Sequence, residues 1–531
     1  MHANTHPIKG KQRQRKWTDA FSARRGGGGP SDKRKAMRVP MGLSVIFSIV
    51  VLAQLAAAGS PPGDSDIRRS VRRYITTETS IAPENLEIHV KDGIVVLSGT
   101  VSNLLQQDQA GRIAESVRGV RSVVDNTRVQ PVVRDDGAIA RDVRAALPRL
   151  SSDRKAEINV DVSGGVVTLE GTADSWVLSR LAVRRAMSVR GVTKIVNRID
   201  VSPGLHRSDE AIDADIERRL FADLHVDASN VEVAVRNGRV TLSGTVTTAA
   251  EKRRAAENAW IAGVVSVDDR QLRVKWPDET QMKRASPYIH LSDPEILRAV
   301  KDALRMDPRI TAANPVVSVD NGAVRLSGVV DTLYAKRAAE ADALNTTGVW
   351  KVDNQLELRY RAFPPDQDVA RMIRDVFRRD AELHARNIQI AVKDNHIRLS
   401  GSIPTMGQKV RAENIAAQIE GVLTLDNQIR VDAPEKKASD ADLKAAIQDE
   451  LFWSPYVDSD RITVTVAGGQ AVLTGRATDR FAARIAVLNA FEGGARSVRA
   501  RLAMETGETF VHGYEHRPAS AGPATVFWLR E

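Results

Sequence analysis

Hydrophobic and polar positions follow two different periods along most of this chain, and the same succession of periods occurs six times. Each repeat begins with apolar residues at i, i+4 and i+8, which predicts one buried stripe of an amphipathic helix. Two segments of alternating apolar and polar residues follow, separated by a short turn such as Asn321-Gly322, and predict a β-hairpin. A second helical segment and a final alternating segment complete the repeat. The predicted element order is therefore α-β-β-α-β in every copy.

The buried stripe of the first helix can be identified in all six copies. Its apolar residues are Ile67/Val71/Ile75, Ile139/Val143/Leu147, Ile212/Ile216/Leu220, Ile296/Val300/Leu304, Val369/Ile373/Phe377 and Leu443/Ile447/Leu451. A glycine that ends the second strand also recurs, at Gly99, Gly171, Gly244, Gly328, Gly401 and Gly475. These six glycines are interpreted as structural, because glycine tolerates the backbone conformations that turns and strand ends require.

These elements predict an α+β fold: a tandem array of six small domains, each with two helices covering one face of a three-stranded sheet. The predicted domains span residues 64–131, 136–203, 208–275, 292–361, 365–433 and 438–505, and the sixth departs most from the common pattern. Residues 276–291 predict a linker that divides the array into three plus three, and residues 506–531 predict a flexible tail. A domain of roughly 60 residues buries only about 60% of its unfolded surface, so neighbouring domains or a partner are expected to add stability.

The segment before the first repeat carries targeting signals. Residues 1–40 predict a basic, disordered leader. Residues 41–59 combine a short apolar stretch with Ala56-Ala57-Ala58, an arrangement typical of a signal peptide and its cleavage site. Two interpretations stay open for residues 41–58: a cleaved secretory signal, or an uncleaved inner-membrane anchor. Both place the repeats outside the cytoplasm.

Charge and cysteine content narrow the functional classes. The net charge of +10 is concentrated in residues 1–40, which carry +9, so the rest of the chain carries only +1. A nearly neutral array gives no reason to expect a nucleic-acid partner. The absence of cysteine excludes disulfides, thiolate catalysis and cysteine-based metal sites.

Other catalytic and metal-binding patterns are also missing from the sequence. The histidines share no position across the repeats and form no His-Glu-x-x-His pair. The serines beside the recurring glycines lack a Gly-x-Ser-x-Gly elbow and a paired histidine. Asp353-Asn354 and the equivalent residues of other copies are interpreted as turn residues after the last strand. The chain is therefore predicted not to be an enzyme and to use no cofactor or metal.

The repeats resemble the BON domain, a family named for bacterial osmotically inducible periplasmic proteins and nodulation proteins. The resemblance rests on the motifs V-x-[DN]-G-x-V-x-L-x-G and G-V-x-x-V-x-N, which are clearest at residues 235–244 and 348–354. Six copies in the same register cover most of the chain. What the resemblance implies is an exported, non-enzymatic module that binds phospholipid or another envelope component and is linked to envelope stress.

A large apolar or aromatic residue lies between the second strand and the second helix in most copies. These candidate contact residues are Leu104, Leu105, Trp176, Leu333, Tyr334, Met406 and Phe481. Two interpretations are open. The residues either pack the start of the helix onto its own sheet as a hydrophobic staple, or form exposed loop tips that enter a bilayer interface or contact a partner. The third copy has no such residue between Thr247 and Ala250.

The function predicted from the sequence is multivalent binding in the bacterial envelope. Six weakly binding domains on one chain would attach to phospholipid or to a membrane surface more strongly than one domain does. Envelope maintenance or protection against osmotic stress is the expected role. The alternative is a periplasmic protein–protein scaffold or chaperone-like adaptor that uses exposed sheet faces or edges.

Overall fold

The recurring pattern folds into six α-β-β-α-β domains, as the sequence predicts. The structure is a computed structural model that describes residues 62–130, 132–147, 156–173, 175–201, 207–275, 291–307, 309–310, 315–360, 363–384, 386–432, 439–454, 456–504 and 508–514. These residues belong to one compact unit, which spans residues 58–531. The predicted leader, the predicted signal or anchor, and residues 276–290 of the predicted linker lie outside the described residues.

Domains 1–3 contain the elements of the first half of the array. Domain 1 comprises α1 (Asp64–Glu78), β1 (Leu86–Lys91), β2 (Ile94–Val101), α2 (Leu104–Ser116) and β3 (Ser122–Val129). Domain 2 comprises α3 (Asp136–Ala146), β4 (Ala156–Ser163), β5 (Val166–Ala173), α4 (Trp176–Met187) and β6 (Lys194–Val201). Domain 3 comprises α5 (Asp209–Ala222), β7 (Val231–Arg236), β8 (Arg239–Val246), α6 (Ala249–Ala259) and β9 (Ser266–Val274).

Domains 4–6 repeat the same order. Domain 4 comprises α7 (Asp293–Met306), β10 (Val316–Asp320), β11 (Ala323–Val330), α8 (Leu333–Leu344) and β12 (Lys351–Leu358). Domain 5 comprises α9 (Asp366–Arg379), β13 (Ile388–Lys393), β14 (His396–Ile403), α10 (Met406–Ala417), β15 (Thr424–Asn427) and β16 (Arg430–Val431). Domain 6 comprises α11 (Asp440–Trp453), β17 (Ile462–Ala467), β18 (Gln470–Ala477), α12 (Arg480–Glu492), β19 (Ser497–Met504) and β20 (Thr509–Tyr514).

The first three strands of a domain are arranged in the same way in all six sheets of the described residues. The second strand is central, and it pairs antiparallel with the first strand and parallel with the third. In domain 4, for example, Leu326 on β11 lies between Val317 on β10 and Asn354 on β12. Parallel pairing requires the chain to cross over the sheet, and the second helix provides this crossover.

Each domain has its own hydrophobic core between its helices and its sheet. The predicted stripe of the first helix is buried: Ile296, Val300 and Leu304 are at most 3% exposed in domain 4. Val324 and Leu326 contribute alternate residues of the central strand to the same cluster. Removing these apolar side chains from water is the main favourable contribution to folding of the domain.

The recurring glycine at the end of the second strand is required by a close approach of two backbones. Gly244 has a φ of 111°, and a Cβ atom there would lie 2.0 Å from the carbonyl oxygen of Asn230. At Gly475 the corresponding distance, to the carbonyl oxygen of Arg461, is 2.1 Å. No side chain can be accommodated at such distances, so these glycines have a structural role.

Two domains differ from the predicted three-stranded sheet. In domain 5 the third strand is interrupted, and its two parts, β15 and β16, both pair with β14. In domain 6 the strand β20 adds to the sheet beside β19. The prediction of a flexible tail is therefore wrong for residues 509–514. Phe510 holds this segment on the domain, because its side chain is only 7% exposed and belongs to the core cluster. Residues 515–531 lie outside the described residues.

Candidate binding surfaces

The candidate contact residues lie at the start of the second helix, which is capped in the same way in every domain. The side chain of the N-cap residue accepts a hydrogen bond from the backbone N–H three residues later, an arrangement that stabilises the free end of a helix. The N-cap residues are Asn103, Ser175, Thr248, Thr332, Thr405 and Asp479. The cap therefore fixes where the helix begins and where the next side chains leave it.

In domains 1–3 the residue after the N-cap contacts another domain, and the three contacts form a cycle. Leu104 packs against the core of domain 2. Trp176 of domain 2 contacts Trp260 of domain 3, with ring centroids 4.4 Å apart, and its Nε1 donates to the carbonyl oxygen of Val264 at 3.1 Å. Ala249 of domain 3 lies in the core cluster of domain 1. We call each of these contacts a seam; together they join domains 1, 2 and 3 into a ring.

Domains 4–6 use the same position for two further seams. Leu333 and Tyr334 of domain 4 lie in the core cluster of domain 5. In domain 6 the guanidinium of Arg480 lies over the ring of Trp350 of domain 4, 4.7 Å from its centroid. Met406 of domain 5 differs, because 51% of this residue is exposed.

The interpretation of the candidate residues as exposed loop tips is wrong for four of them. Leu105, Leu333, Tyr334 and Phe481 are at most 9% exposed. Leu104 and Trp176 are partly buried at seams, and Met406 is exposed. The staple interpretation is also incomplete, because several of these side chains pack across a domain boundary and not onto their own sheet. Periodicity shows that a side chain is buried, but it does not show which surface buries it.

Ion pairs between second helices reinforce the seams. They are Arg180–Glu257 at 2.5 Å, Arg253–Glu115 at 2.5 Å and Arg337–Glu413 at 2.6 Å. Burial opposes ionisation of Glu257, but Arg180 and Arg253 outweigh this effect and hold its pKa at about 2. This carboxylate is therefore charged at any physiological pH, and the seams of domain 3 with its two neighbours share it.

The two halves of the array are joined where the end of a first helix in one domain meets the segment that follows a second helix in another. Two backbone hydrogen bonds join domains 2 and 5: Arg190 N–H to Arg379 O and Ala381 N–H to Ser188 O, both 2.9 Å. Two more join domains 3 and 4: Thr347 N–H to Ala222 O at 2.8 Å and Leu224 N–H to Asn345 O at 3.1 Å. Arg118 of domain 1 pairs with Asp449 and Glu450 of domain 6. Every domain of the first half therefore contacts a domain of the second half.

Buried ion pairs lie at the ends of the first helices in domains 3, 4 and 5. They are Asp223–Arg254, Asp307–Arg309 and Asp380–Arg411. Glu251, on the second helix of domain 3, is also buried; burial raises its pKa to about 7. Its carboxylate accepts hydrogen bonds from the backbone N–H groups of Asp227 and Thr247. These charged groups are paired or hydrogen-bonded within the protein and offer no exposed chemistry.

An aspartate at the start of each first helix makes a contact that the sequence did not reveal. In domain 4 the carboxylate of Asp293 accepts hydrogen bonds from the backbone N–H groups of Asn321 at 2.7 Å and Gly322 at 2.9 Å, in the hairpin turn. We call this contact the aspartate clamp. The other five clamps are made by Asp64, Asp136, Asp209, Asp366 and Asp440. The constant spacing between aspartate and turn is the signal that could have identified it.

The sequence profile of the BON domain matches residues 63–131, 135–203, 208–275, 292–360, 365–433 and 439–505, which agree with the six folded domains. The chain belongs to the BON-domain family. The domain boundaries predicted from periodicity agree with this match to within a few residues, so each BON domain is one α-β-β-α-β unit.

Several curated relatives are similar to part of this array. Osmotically-inducible protein Y of Escherichia coli is 35% identical over 140 residues, which are 25% of this chain and 70% of that protein. Outer membrane lipoprotein DolP of Haemophilus influenzae is 26% identical over 164 residues, covering 30% of this chain and 79% of that protein. The 21 kDa hemolysin of Actinobacillus pleuropneumoniae is 32% identical over 117 residues, covering 21% of this chain and 60% of that protein. Each match is about as long as two of the six BON domains.

A comparison with solved structures gives a much weaker likeness. The C-terminal domain of CdsD, a structural protein of the type III secretion system of Chlamydia trachomatis, has 16% identity and a TM-score of 0.11; the match covers 40% of this chain and 96% of that domain. A likeness at this level carries no argument about function.

Among the described residues, exposed large apolar side chains occur both on helices and on sheets. In domain 1 the exposed residues include Ile94 on β2 and Val124 on β3, which are 40% and 44% exposed. Among the described residues no helix is long and apolar enough to cross a bilayer. Within the same part of the chain, no group of three or more His, Cys, Asp or Glu side chains is arranged so that it could hold a metal ion.

Proposed function

We propose that this chain is an exported, non-enzymatic protein of the bacterial envelope whose six BON domains act together as a rigid scaffold for other polypeptides. The observation that carries this proposal is the burial of the second-helix starts at the seams. Because the seams use most of the apolar side chains at the starts of the second helices, sheet faces and strand edges are surfaces that remain available to a partner. Strand edges expose backbone N–H and C=O groups, which another polypeptide can pair with.

The relatives support a place in the envelope. One is named an osmotically inducible protein and another an outer membrane lipoprotein. The predicted signal at residues 41–59 agrees with export. Determination of the N-terminal residue of the protein purified from its host tests this step. A start near residue 59 supports a cleaved signal, whereas a chain that retains residues 41–58 and fractionates with the inner membrane supports an anchor.

The scaffold proposal is tested by co-purification from the envelope. The full chain would be expressed in its host with a C-terminal affinity tag, treated with a cell-permeant crosslinker, and purified under denaturing conditions. We expect one or a few polypeptides to be recovered in near-stoichiometric amounts. The matched control is the same chain carrying Asp293→Ala and Asp440→Ala, which weakens two clamps. Absence of any stoichiometric polypeptide from the wild-type sample would refute the scaffold.

A second candidate function is binding to phospholipid at a membrane surface. Met406 favours it, because this side chain is 51% exposed at the start of α10 and Lys409 follows it one turn later. An apolar side chain beside a basic residue suits an interface with anionic headgroups. Because seams join the domains, the membrane would meet a rigid body and not six independent modules. This reduces the flexible multivalency expected from the sequence.

Co-sedimentation of the array with anionic and neutral liposomes at low salt tests the membrane candidate. We expect Met406→Ser to reduce sedimentation with anionic liposomes, and Val316→Ser to leave it unchanged. Val316 is a suitable control because it is 63% exposed on a strand of domain 4. Absence of the wild-type protein from both liposome pellets would rule out this function.

A further inference from the structure

The outer face of the domain 6 sheet, which is turned away from the helices, carries three exposed arginines. Buried and exposed residues alternate along β19, and Arg499 and Arg501 are on the exposed side. On β18 the exposed Arg476 comes two residues after Thr474, which lies beside Arg501 in the parallel register. Residues two apart on one strand are separated by about 7 Å, and neighbouring strands by about 5 Å. The three arginines therefore lie in one row along this face.

No acidic residue accompanies these arginines on the outer face. The outward positions of β17, β18, β19 and β20 otherwise carry only Thr, Ser, Gln, Val, Ala and Gly. In the described part of the chain, no carboxylate forms an ion pair with any of the three arginines. The sheets of domains 1–5 each have at least one carboxylate at an outward position: Glu87, Glu157, Glu232, Asp353 and Asp426.

Comparison of the repeats shows what the arginine row replaces. In domains 4 and 5 an aspartate on the third strand pairs with an arginine on the central strand, as Arg325–Asp353 and Arg398–Asp426. In domain 6, Val472 takes the place of the central-strand arginine and Arg499 takes the place of the aspartate. An ion pair within the sheet is thus replaced by a cation beside a second cation. Like charges repel one another, so the row does not stabilise the sheet and indicates a ligand of opposite charge.

The neighbours of the arginines indicate the kind of anion. Most of the other residues on this face carry a hydroxyl or an amide group: Thr463, Thr465, Gln470, Thr474, Ser497 and Thr509. Such groups both donate and accept hydrogen bonds, as the hydroxyl groups of a sugar do. Arginine binds carboxylate and phosphate groups through paired N–H donors. Together these side chains suit a polymer that carries both hydroxyl and anionic groups.

Other classes of anionic partner fit this face less well. The core of a protein interface and a membrane-inserting surface both use large apolar or aromatic side chains. The largest apolar side chains on this face are only valines, Val472 and Val511. An extended polypeptide lying across the face could not pair its backbone groups with strands that already pair with one another. Bases of a nucleic acid stack on aromatic rings, and the outward positions carry none.

The contacts that join domain 6 to its neighbours leave this face uncovered. They are made by Arg480 and Arg484 of α12, by Asp449 and Glu450 of α11, and by Tyr456. These residues lie on the helices or in the segment between α11 and β17. The arginine row therefore stays exposed in the assembled array.

We propose that the outer face of the domain 6 sheet binds a linear acidic polysaccharide. Arg499, Arg501 and Arg476 pair with successive anionic groups along the polymer, and the threonines and Gln470 hydrogen-bond to its hydroxyl groups. This function goes beyond the scaffold and does not depend on it, because the ligand is not a polypeptide.

Arginine footprinting of the full chain tests the proposal. The probe is polygalacturonate, a sugar polymer with one carboxylate per residue, and the rate of phenylglyoxal modification is followed at each arginine by mass spectrometry. We expect polygalacturonate to slow modification of Arg476, Arg499 and Arg501 by at least about threefold, because bound guanidinium groups are shielded. Exposed Arg128 and Arg430, on the sheets of domains 1 and 5, should react at unchanged rates. Neutral dextran should protect none of them. Unchanged rates at the three arginines would overturn the proposal.

Substitution tests whether the row acts as a unit. Arg499→Asp introduces the residue type found at this position in domains 4 and 5, so the variant is expected to fold. We expect it to reduce the protection of Arg476 and Arg501 to less than about 1.5-fold. Arg430→Asp makes the same change of charge on domain 5 and should leave the protection as in the wild-type protein. If Arg499→Asp lowers the midpoint of thermal unfolding, Arg501→Gln replaces it as the test. Full protection of the remaining arginines in the folded variant would contradict the proposal.

The same footprint separates the polysaccharide from other anionic ligands. Stronger protection by polyglutamate than by polygalacturonate would identify an acidic polypeptide as the occupant and refute the proposal. Protection only by vesicles that contain phosphatidylglycerol would identify a membrane surface and refute it as well. The scaffold function is judged separately by co-purification of envelope polypeptides with Arg499→Asp, which we expect to match the wild-type chain.

Discussion

The aspartate clamp gives a test of how the first helix is attached to its sheet. Asp293→Ala removes the acceptor for the backbone N–H groups of Asn321 and Gly322. The capping box of the same helix, formed by Ser292 and Glu295, does not involve the Asp293 side chain and is left in place. The substitution therefore separates helix capping from attachment of the helix to the hairpin.

The expected loss can be estimated from the two hydrogen bonds. A hydrogen bond to a charged group contributes about 1.5–3 kcal/mol, and less where water can replace the acceptor. The bond from Asn321 is exposed and that from Gly322 is partly buried. Taking about 1 kcal/mol for each bond gives a loss of about 2 kcal/mol, which corresponds to a roughly 30-fold change in the equilibrium between closed and open hairpin.

Hydrogen exchange of the full chain measures this equilibrium. Amides that exchange through local opening report the free energy of that opening. In Asp293→Ala we expect the peptide that contains Asn321 and Gly322 to exchange about 30-fold faster than in the wild-type protein. The hairpins of the other five domains serve as internal controls in the same sample, because their clamps are unchanged.

Asp302→Ala is the matched control on the same helix. Asp302 makes an exposed ion pair with Arg305, and pairs of this type contribute about 0–1 kcal/mol. We therefore expect little change in exchange of the domain 4 hairpin in this variant. The reasoning about the clamp is refuted if Asp293→Ala leaves hairpin exchange at the wild-type rate. It is also refuted if Asp302→Ala accelerates exchange to the same extent.

Three further predictions concern glycine, a buried carboxylate and a buried ion pair. Gly244→Ala is expected to destabilise domain 3 by more than about 3 kcal/mol in urea unfolding, because its Cβ atom would overlap a carbonyl oxygen. The control Gly111→Ala, whose Cβ atom would have no neighbour within 4 Å, is expected to stabilise α2 by up to about 1 kcal/mol, and equal effects of the two substitutions would contradict this reasoning. Burial raises the pKa of Glu251 from 4.5 to about 7, so the stability that its protonation contributes is complete below pH 4.5 and falls by about 3 kcal/mol as the pH rises to about 7. Glu251→Gln should abolish this pH dependence of the free energy of unfolding, and an unchanged slope would show that another group titrates. Arg254→Met removes the cation that is paired with the buried Asp223 and should lower the free energy of unfolding by about 3–5 kcal/mol in urea. The double variant with Asp223→Leu should recover most of this loss, and a double variant no more stable than the single one would contradict the prediction.

Local periodicity predicted the parts of each domain that depend on that domain alone. The stripe of Ile296, Val300 and Leu304 faces the sheet of its own domain, so a period in the sequence is sufficient to identify it. The turn Asn321-Gly322 was equally predictable, because both residues adopt a positive φ, 47° and 72°, that few other residues tolerate. These features fixed the element order and with it the fold class.

Side-chain contacts between residues that are far apart in the sequence could not be predicted from local periodicity. Asn354 was interpreted as a turn residue, but it lies within β12, and its Nδ2 donates to the carbonyl oxygen of Lys336 at 2.9 Å on the second helix. The contact of Asp293 with the hairpin turn was not predicted either. In both cases the partner is a backbone group of another element, which any residue can supply. For the aspartate clamp, only the constant spacing between aspartate and turn across the repeats marks the contact.

The position after the N-cap of the second helix varies from repeat to repeat, and it is the position at which the seams are made. The residue after the N-cap is Leu104, Trp176, Ala249, Leu333, Met406 or Arg480 in the six domains. An averaged repeat would treat this position as variable and therefore unimportant. In the structure it contacts another domain in five of the six cases, and Met406 is exposed. Trp176 meets another indole, whereas the backbone N–H of Ala249 donates to the carbonyl oxygen of Val120 at 3.3 Å.

The seams of domains 1, 2 and 3 close into a ring, so the variable residues after the N-caps hold these domains together. Domains 1 and 3 are not consecutive in the chain, yet the contact of Ala249 with domain 1 joins them, so three domains form a closed set. Removing any one domain of such a set would expose two apolar seam surfaces. A polypeptide that bound the array would therefore meet at least three domains, whose contacts are made by side chains that differ from repeat to repeat. Under the scaffold proposal, binding at one domain would depend on residues of a neighbouring domain that never contact the bound polypeptide, because those residues hold the first domain in place.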